Sequence, residues 1–359
     1  MAAPTTIRAL SVADMNIALV EPFGIAGGAA DVARNLLVTL ELADGTRGYG
    51  EAAPFPPFNG ETQELARAAL EAARSTVEGA DVREWRRLSA ALHSAMGPVG
   101  SARCALETAV LDALTRRAHM PLWAFFGGAA TSLETDMTIT TGSVEQAAQA
   151  AGAILARGIT TIKVKIGSGD LALDLERVAA VRAAAPEAPL ILDGNGGLTA
   201  DATLQLLAML HGRAIVPALL EQPVPKDDIA GLRQVVQWGG VPVAADESAS
   251  GAAQVLELAR ERAANVVNIK LMKSGIAEAL DIAAVARAAG LGLMIGGMVE
   301  SILAMTVSAC FAAGQGGFSF VDLDTPLLMA DSPLTGGMQY RGGTIDLGEI
   351  DAGHGVNPR

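Results

Sequence analysis

From about residue 136 onward, short apolar runs alternate with alanine-rich segments in which apolar residues recur three and four positions apart. The short runs are typical of buried parallel strands, and the longer segments are typical of helices that pack one face on a sheet. We predict eight strands linked by seven helices. The predicted strands are residues 136–141, 160–166, 189–195, 217–223, 242–248, 265–271, 292–298 and 318–324.

Eight parallel strands in series can close into an α/β barrel, which has its chemistry at the carboxyl ends of the strands. The alternative is an open, doubly wound sheet. Its usual dinucleotide fingerprint is absent, because Gly167-Ser168-Gly169 after the second strand lacks the third glycine. The pattern therefore favours the barrel.

The first 130 residues have a different pattern, with strand-like stretches at 5–20, 35–42 and 47–53 ahead of helical ones at 61–77 and 101–118. This order predicts an α+β capping domain at residues 1–130 and a barrel at residues 131–325. Residues 326–359 are rich in glycine and contain no complete helix. We expect this last segment to return to the cap.

Composition narrows the classes of function. A chain of 359 residues with 50% hydrophobic and 18% charged residues is too apolar to be disordered. The net charge of −13 would repel nucleic acid and an anionic membrane surface. Only two cysteines are present and the N-terminus lacks the features of a secretory signal, so we expect a cytoplasmic protein; a homo-oligomer stays open.

One uncharged stretch, residues 301–321, resembles a membrane span in hydropathy. Glycines at 314, 316 and 317 interrupt it after about three helical turns, short of the ~20 apolar residues that a span needs. It predicts a buried helix, a turn and a strand.

Carboxylates stand at the ends of three consecutive strands that are otherwise apolar. Asp193, Glu221 and Asp246 would converge at one mouth of a barrel, where they would repel one another unless a cation lay among them. Oxygen donors without nearby cysteine or histidine favour Mg²⁺. For each acid alone, capping of the next helix is the alternative.

Lysines flank this expected metal site. Lys163 and Lys165 lie two residues apart in the second strand and so face the same way, and Lys270 ends the sixth strand. A neighbouring cation lowers the pKa of a lysine, which would make Lys165 and Lys270 bases on opposite sides of a bound substrate. In the alternative interpretation, the lysines only neutralise the acids.

Asp322 and Asp324 end the eighth strand and also face one way. Such a pair could bind a metal, cap a helix, or hold a cationic group such as an ammonium. The same charges disfavour a phosphate site at the nearby turn Gly296-Gly297.

Five motifs carry a family resemblance: Lys163-x-Lys165, Asp193-Gly-Asn, Glu221-Gln-Pro, Asp246-Glu-Ser and Asn-Ile-Lys270-Leu-Met-Lys-Ser-Gly. Together they resemble the muconate-lactonizing subgroup of the enolase superfamily, and the resemblance covers nearly the whole chain. Within that subgroup, the pair Asp322-x-Asp324 is similar to the pattern of dipeptide epimerases, where it holds the substrate's ammonium group.

The resemblance implies a (β/α)7β barrel, which is a modified TIM barrel, with an α+β capping domain and with Mg²⁺ held by Asp193, Glu221 and Asp246. It implies a dipeptide substrate, and exchange of the α-proton of its C-terminal residue by Lys165 and Lys270 through an enediolate. Lys163 would tune Lys165.

The resemblance implies that substrate specificity depends on residues 22–31, a predicted cap loop that closes over the substrate's side chains and that carries no cation here. Burying an acidic side chain without a partner is costly. The predicted apolar contacts are Phe23 and Ile25, with Phe55 and Phe58 of the cap and Met298 of the barrel, and they favour a small or hydrophobic C-terminal residue. In the alternative interpretation, the four phenylalanine and isoleucine side chains only pack the core of the cap. Arg34 is a cation that could reach in and change this preference.

Two alternatives remain at this stage. A muconate-type cycloisomerase, an o-succinylbenzoate synthase or an N-acylamino acid racemase would use the same metal and lysines, but its substrate has no free ammonium for Asp322 and Asp324. A non-catalytic metal-binding barrel, which is a different class, needs no paired bases.

Overall fold

The computed structural model describes residues 3–25 and 28–359, and for residues 21–23, 25 and 28–30 it describes the backbone only. An antiparallel sheet and a group of helices form the cap. Its elements are β1 (Ile7–Ile25), β2 (Gly28–Leu42), β3 (Arg47–Ala52), α1 (Pro56–Asn59), α2 (Gln63–Ala72), α3 (Arg74–Val77), a 3₁₀ turn (Val82–Glu84), α4 (Trp85–Met96), α5 (Gly100–Arg117) and α6 (Leu122–Phe125).

The prediction of a loop at residues 22–31 is wrong for the part of this segment that the structure describes; residues 26 and 27 lie outside the described residues. β1 and β2 stay paired through most of it, with Phe23 opposite Ala30 and Ile25 opposite Gly28. Pairing satisfies the backbone groups of both strands, which an irregular loop would have to leave to water. The side chains of Phe23 and Ile25 lie outside the described residues, so their predicted contacts with substrate stay predictions.

A short strand, β4 (Ser132–Glu134), leads into eight parallel strands that neighbour one another in chain order. These barrel strands are β5 (Met137–Ile139), β6 (Ile162–Lys165), β7 (Leu190–Asp193), β8 (Leu219–Glu221), β9 (Val243–Ala245), β10 (Val266–Ile269), β11 (Gly292–Gly296) and β12 (Phe318–Asp322). The backbone N–H of Asp136 donates to the carbonyl oxygen of Val321 at 2.9 Å and so joins the two outer strands. The predicted barrel is confirmed, and the open sheet is excluded.

Seven helical connections link these strands, as predicted. They are α7 (Val144–Ala156), α8 (Leu171–Ala184), α9 (Ala200–Gly212), α10 (Ile229–Trp238), α11 (Ala252–Glu261), α12 (Leu271–Ser274) with α13 (Ile276–Ala288), and α14 (Ile302–Gln315). The uncharged stretch 301–321 forms buried α14, a turn and most of β12. No helix in the described part of the chain is long and apolar enough to cross a membrane.

The C-terminal segment consists of a 3₁₀ turn (Thr325–Leu328) and the short strands β13 (Leu334–Gly336), β14 (Gln339–Arg341), β15 (Thr344–Asp346) and β16 (Val356–Pro358). It reaches cap helix α5, where the N–H of His354 donates to Asp112 Oδ1 at 3.0 Å and Arg116 donates to the carbonyl of Val356 at 2.6 Å. These contacts support the proposal that residues 326–359 belong with the cap. β15 also pairs with β4.

Helix α5 is buried along almost its whole length. On one side β3 comes so close that a Cβ on Gly48 or Gly50 would lie 2.1 or 2.0 Å from a carbonyl oxygen of the helix. Only glycine permits this approach. At its start, α5 contacts α12, so one helix joins the cap sheet to the barrel.

Candidate active site

The carboxyl ends of the barrel strands bring together the charged residues that the sequence indicated. The register places Lys165 of β6 beside Asp193 of β7, and Asp193 beside Glu221 of β8. Asp246 directly follows β9, and Lys270 directly follows β10. All five residues are buried, so their charges interact with little screening by water.

Lys163 lies one layer deeper than Lys165, because it pairs with Ile191 rather than with Asp193. Its Nζ lies 2.9 Å from Asp193 Oδ2, 2.7 Å from Glu221 Oε2 and 2.6 Å from Asp322 Oδ2. Burial lowers the pKa of Lys163, but these carboxylates outweigh burial and raise the pKa well above its usual value. Lys163 therefore pairs with carboxylates of three strands at the bottom of the site.

Lys165 contacts the first of the three strand-end acids. Its Nζ donates to Asp193 Oδ2 at 2.6 Å and to Asn195 Oδ1 at 2.8 Å. Burial raises the pKa of Asp193, yet Lys163 and Lys165 more than compensate and hold it below its usual value. The prediction that Lys163 tunes the pKa of Lys165 stays a prediction.

Lys270 contacts the last of the three acids. Its Nζ lies 2.8 Å from Asp246 Oδ2 and 4.8 Å from the centre of the Phe58 ring. The other oxygen, Asp246 Oδ1, accepts a hydrogen bond from Lys273 Nζ at 2.8 Å. Burial raises the pKa of Asp246, but the two lysines hold it at about 2, so this carboxylate is charged at neutral pH.

Asp193, Glu221 and Asp246 suit a hard divalent cation. They supply only carboxylate oxygens, and their three strands are neighbours. Glu221 Oε2 and Asp246 Oδ2 are buried without a hydrogen bond, each with only a lysine as ionic neighbour. Burial and the charge of Asp193 raise the pKa of Glu221, which shows that a further positive charge would stabilise this trio. The residues fit Mg²⁺.

A second acidic cluster adjoins the first and was only partly predicted. Asp136, Asp322 and Asp324 place carboxylate oxygens within 4.8 Å of one another, and across residues 3–25 and 28–359 no other such trio of possible ligand groups meets that spacing. Burial and the charge of Asp322 raise the pKa of Asp136 well above its usual value. Asp136 was missed because an acid just before a strand has no special spacing.

Asp322 and Asp324 have separate anchors within that cluster. Asp322 Oδ2 accepts from Lys163 Nζ, and Asp324 Oδ2 accepts from the backbone N–H of Thr138 at 2.7 Å. Burial raises the pKa of Asp324 to about 6, with a further contribution from the charge of Asp322. Lys163 contacts only Asp322 of these three acids, so the cluster keeps negative charge that can attract a small cation.

One cavity is lined by five of the eleven predicted site residues, and Lys163 and the three predicted metal ligands do not line it. It is lined by Phe55, Phe58, Thr138, Lys165, Asn195, Lys270, Gly297, Met298, Asp322, Asp324 and Thr325. The structure thus brings both candidate bases, the aspartate pair and Met298 to one space. Arg34 is exposed on β2 and does not line this cavity.

Asn195 and Asn268 are polar residues whose roles sequence reasoning did not assign. Asn268 Nδ2 donates to Glu221 Oε1 at 2.8 Å, and Asn195 joins Lys165 to Glu247 through hydrogen bonds of 2.8 and 3.2 Å. Asn268 precedes Lys270 by two residues, so the strand period that places Lys270 could also have placed it.

Comparison with known proteins covers the whole chain. Residues 7–127 match the model of the mandelate racemase / muconate lactonizing enzyme N-terminal domain, and residues 145–359 match the enolase C-terminal domain-like model. The aromatic dipeptide epimerase of Herpetosiphon aurantiacus is 56% identical over 354 residues, or 99% of each chain. Many solved structures are similar as well, and two of them are described next.

The first of these is a mandelate racemase/muconate lactonizing enzyme from a Roseiflexus species, with 67% identity, a TM-score of 0.95, and coverage of 100% of this chain and 99% of that one. The second is a dipeptide epimerase from Enterococcus faecalis in complex with Mg and L-Leu-L-Tyr. It is 31% identical, with a TM-score of 0.94 and coverage of 98% of this chain and 99% of that one.

Proposed function

This chain belongs to the mandelate racemase/muconate lactonizing enzyme family of the enolase superfamily, and we propose that it is a Mg²⁺-dependent dipeptide epimerase. One observation carries the proposal. Lys165 and Lys270 line the same cavity from the second and the sixth of eight barrel strands, which are opposite positions in a closed barrel. Two opposed bases are what inversion at a carbon requires.

We assign Asp193, Glu221 and Asp246 as the residues that would hold Mg²⁺. When bound, the metal would supply charge to stabilise the substrate carboxylate as the neighbouring C–H bond breaks, and would neutralise the acids that now hold the lysines. Lys163 stays charged beneath them and limits the repulsion between Asp193 and Glu221.

The lysines carry the proton transfer. The neutral amine of one lysine takes the α-proton of the C-terminal residue from one face, and the electron pair of that C–H bond passes toward the substrate carboxylate. The ammonium of the other lysine then donates a proton to the opposite face. The net result is inversion at one carbon, with no atom gained or lost.

The aspartate pair supports a dipeptide with a free N-terminus. Asp322 and Asp324 line the cavity beside the lysines, and an ammonium is the cation that a peptide presents at a carboxylate pair. Substrates of the alternative family activities lack this group. We therefore assign Asp322 and Asp324 to the ammonium of the substrate.

The apolar lining supports a hydrophobic C-terminal residue. Phe55, Phe58 and Met298 line the cavity, and neither Arg34 nor another arginine does. Two relatives favour the same class, since one is named an aromatic dipeptide epimerase and the other is a dipeptide epimerase in complex with L-Leu-L-Tyr. We further propose a cytoplasmic location, supported by the buried free thiols of Cys104 and Cys310.

The test is incubation of a dipeptide library with the protein and Mg²⁺ in D₂O. A mass gain of one unit at the C-terminal residue, together with its epimer, is expected for free dipeptides with apolar C-terminal residues. N-acetylated forms of the same dipeptides serve as matched controls and should react far more slowly. Equal turnover of the acetylated forms would contradict the assignment of Asp322 and Asp324.

A further inference from the structure

Cap helix α5 contacts the broken helix that follows Lys270. Lys270 directly precedes α12, and Lys273 lies within it. A Cβ on Gly100, the first residue of α5, would lie 2.2 Å from the carbonyl oxygen of Lys273. The two helices are therefore in direct backbone contact, and α5 limits where α12 can lie.

Glu107 of α5 caps the second half of this broken helix. Its Oε2 accepts hydrogen bonds from the backbone N–H groups of Ile276 at 2.5 Å and Ala277 at 3.0 Å, the first two residues of α13. Its Oε1 accepts from Ser89 Oγ at 2.5 Å. N–H groups in the first turn have no partner within their own helix, so this buried carboxylate provides one from outside the barrel.

Arg103 holds the first half from one helical turn away. Its Nε donates to the carbonyl oxygen of Ser274, the last residue of α12, at 2.8 Å. Between the halves, Gly275 has φ +83°, and a Cβ there would lie 2.7 Å from Glu107 Oε2. The break between α12 and α13 therefore lies against Glu107. Arg103 bonds the end of α12, and Glu107 bonds the start of α13.

The other base has a different support. Arg177 of barrel helix α8 donates to the carbonyl oxygen of Lys165 at 2.7 Å and to that of Thr140 at 2.6 Å. Lys165 is thus held by the barrel itself, whereas the turn after Lys270 is held by the cap. We propose that Glu107 is a positioning residue for Lys270, and that the cap supports one of the two bases and not the other; this inference rests on the proposed function.

Isotope exchange can separate the two bases. A lysine that has taken the α-proton can return deuterium to the same face, because its ammonium hydrogens exchange with D₂O. If one lysine is displaced, exchange therefore slows only for the epimer whose α-proton that lysine removes. Epimerisation itself must slow equally in both directions, because the equilibrium constant is unchanged.

The test variant is Glu107→Ala, with Glu51→Ala as a matched control. Glu51 is also a buried cap glutamate, and it accepts from the N–H groups of Ser301 and Ala304 at the start of α14, a helix without a candidate base. In Glu107→Ala, exchange should fall about 10- to 100-fold for one epimer only, the size expected for a base displaced by about 1 Å. In Glu51→Ala, both epimers should lose exchange to the same extent. Equal loss for both epimers in Glu107→Ala would overturn the proposal.

Conservative variants complete the design. Glu107→Gln keeps an oxygen for Ile276 and Ala277 and should restore exchange for the affected epimer to within about threefold of wild type. If Glu107→Ala does not fold, Arg103→Met takes its place and should show the same one-sided loss. A symmetric loss in Arg103→Met would equally refute the proposal.

Amide hydrogen exchange of residues 270–277, read by mass spectrometry without substrate, tests the structural part independently. Protection of this peptide should fall in Glu107→Ala and stay at the wild-type level in Glu51→Ala. Unchanged protection in Glu107→Ala would refute the positioning role. If the protection result holds while wild-type protein exchanges the α-proton of no dipeptide, the proposed function is wrong and not the contact.

Discussion

Replacing Arg177 with methionine tests whether the barrel supports Lys165 through one buried side chain. Arg177 is 1% exposed and donates to the carbonyl oxygens of Lys165 and Thr140 at the ends of β6 and β5. Methionine has a similar length and no donor, so the change leaves both carbonyl oxygens without this partner. It also leaves Asp174 without its cation, 3.7 Å away.

The structure sets the size of the effect. Two hydrogen bonds from a charged donor contribute about 1.5–3 kcal/mol each, which gives about 3–6 kcal/mol. Arg177 Nε is buried without a partner, so its removal returns about 1–3 kcal/mol. Asp174 keeps hydrogen bonds from Gly167 and Ser168. We therefore expect Arg177→Met to lower the free energy of unfolding by about 2.5 kcal/mol, the difference between the midpoints of these two ranges.

Urea unfolding followed by circular dichroism measures this change, with Arg177→Lys as the matched variant that keeps the charge and can still reach one carbonyl. Arg177→Lys should lose about half as much free energy of unfolding as Arg177→Met. Under conditions where the wild type and Arg177→Met are both folded, the variant should also slow α-proton exchange for the epimer that Lys165 deprotonates. A loss of stability below about 1 kcal/mol, or no effect on either epimer, would refute this reasoning.

Three further predictions concern pH and specificity. Because burial and the charge of Asp322 raise the pKa of Asp324 to about 6, the KM of a dipeptide should rise as the pH falls below about 6, and Asp324→Asn should remove this dependence in KM measurements from pH 5 to 8. Burial raises the pKa of Glu300 to about 8 from an ordinary 4.5, so the folded chain holds a proton that the unfolded chain loses between these values. Stability should therefore fall with rising pH in that window, by at most about 1.4 kcal/mol per unit, and urea unfolding of Glu300→Gln should lack this contribution. L-Ala-L-Phe and L-Ala-L-Leu should exceed L-Ala-L-Glu in kcat/KM by at least about tenfold, because burial of an unpaired glutamate is costly; a preference for L-Ala-L-Glu would contradict the apolar lining.

The barrel could be predicted because its strands are short apolar runs separated by turn residues. The first and last residues of the strands were less predictable. Predicted strands that began at Pro189, Pro217 and Pro242 begin one or two residues later, since proline has no N–H to donate to the ladder. The sequence analysis did not predict helix α4 of the cap, because the cap lacks the regular alternation of strands and helices that marks the barrel.

The residues of the site could be predicted from the two-residue period of the strands, but the contacts between these residues could not. Period two put Lys163 and Lys165 on one face, but only the register shows that Lys163 lies deeper and contacts three carboxylates from different strands. Asp136 joins Asp322 and Asp324 through closure of the barrel, which brings together residues nearly two hundred positions apart. Glu107 could not be found from the strand ends at all, because it acts from the cap.

The most direct test of the two-base account is α-proton exchange in D₂O by Lys165→Met and Lys270→Met, each supplied with the L,L and the L,D epimer of one apolar dipeptide and with Mg²⁺. Neither variant should convert one epimer into the other. Lys165→Met should exchange the α-proton of one epimer only, and Lys270→Met that of the other epimer only. Epimerisation at the wild-type rate by either variant, or exchange of both epimers by the same variant, would contradict the account.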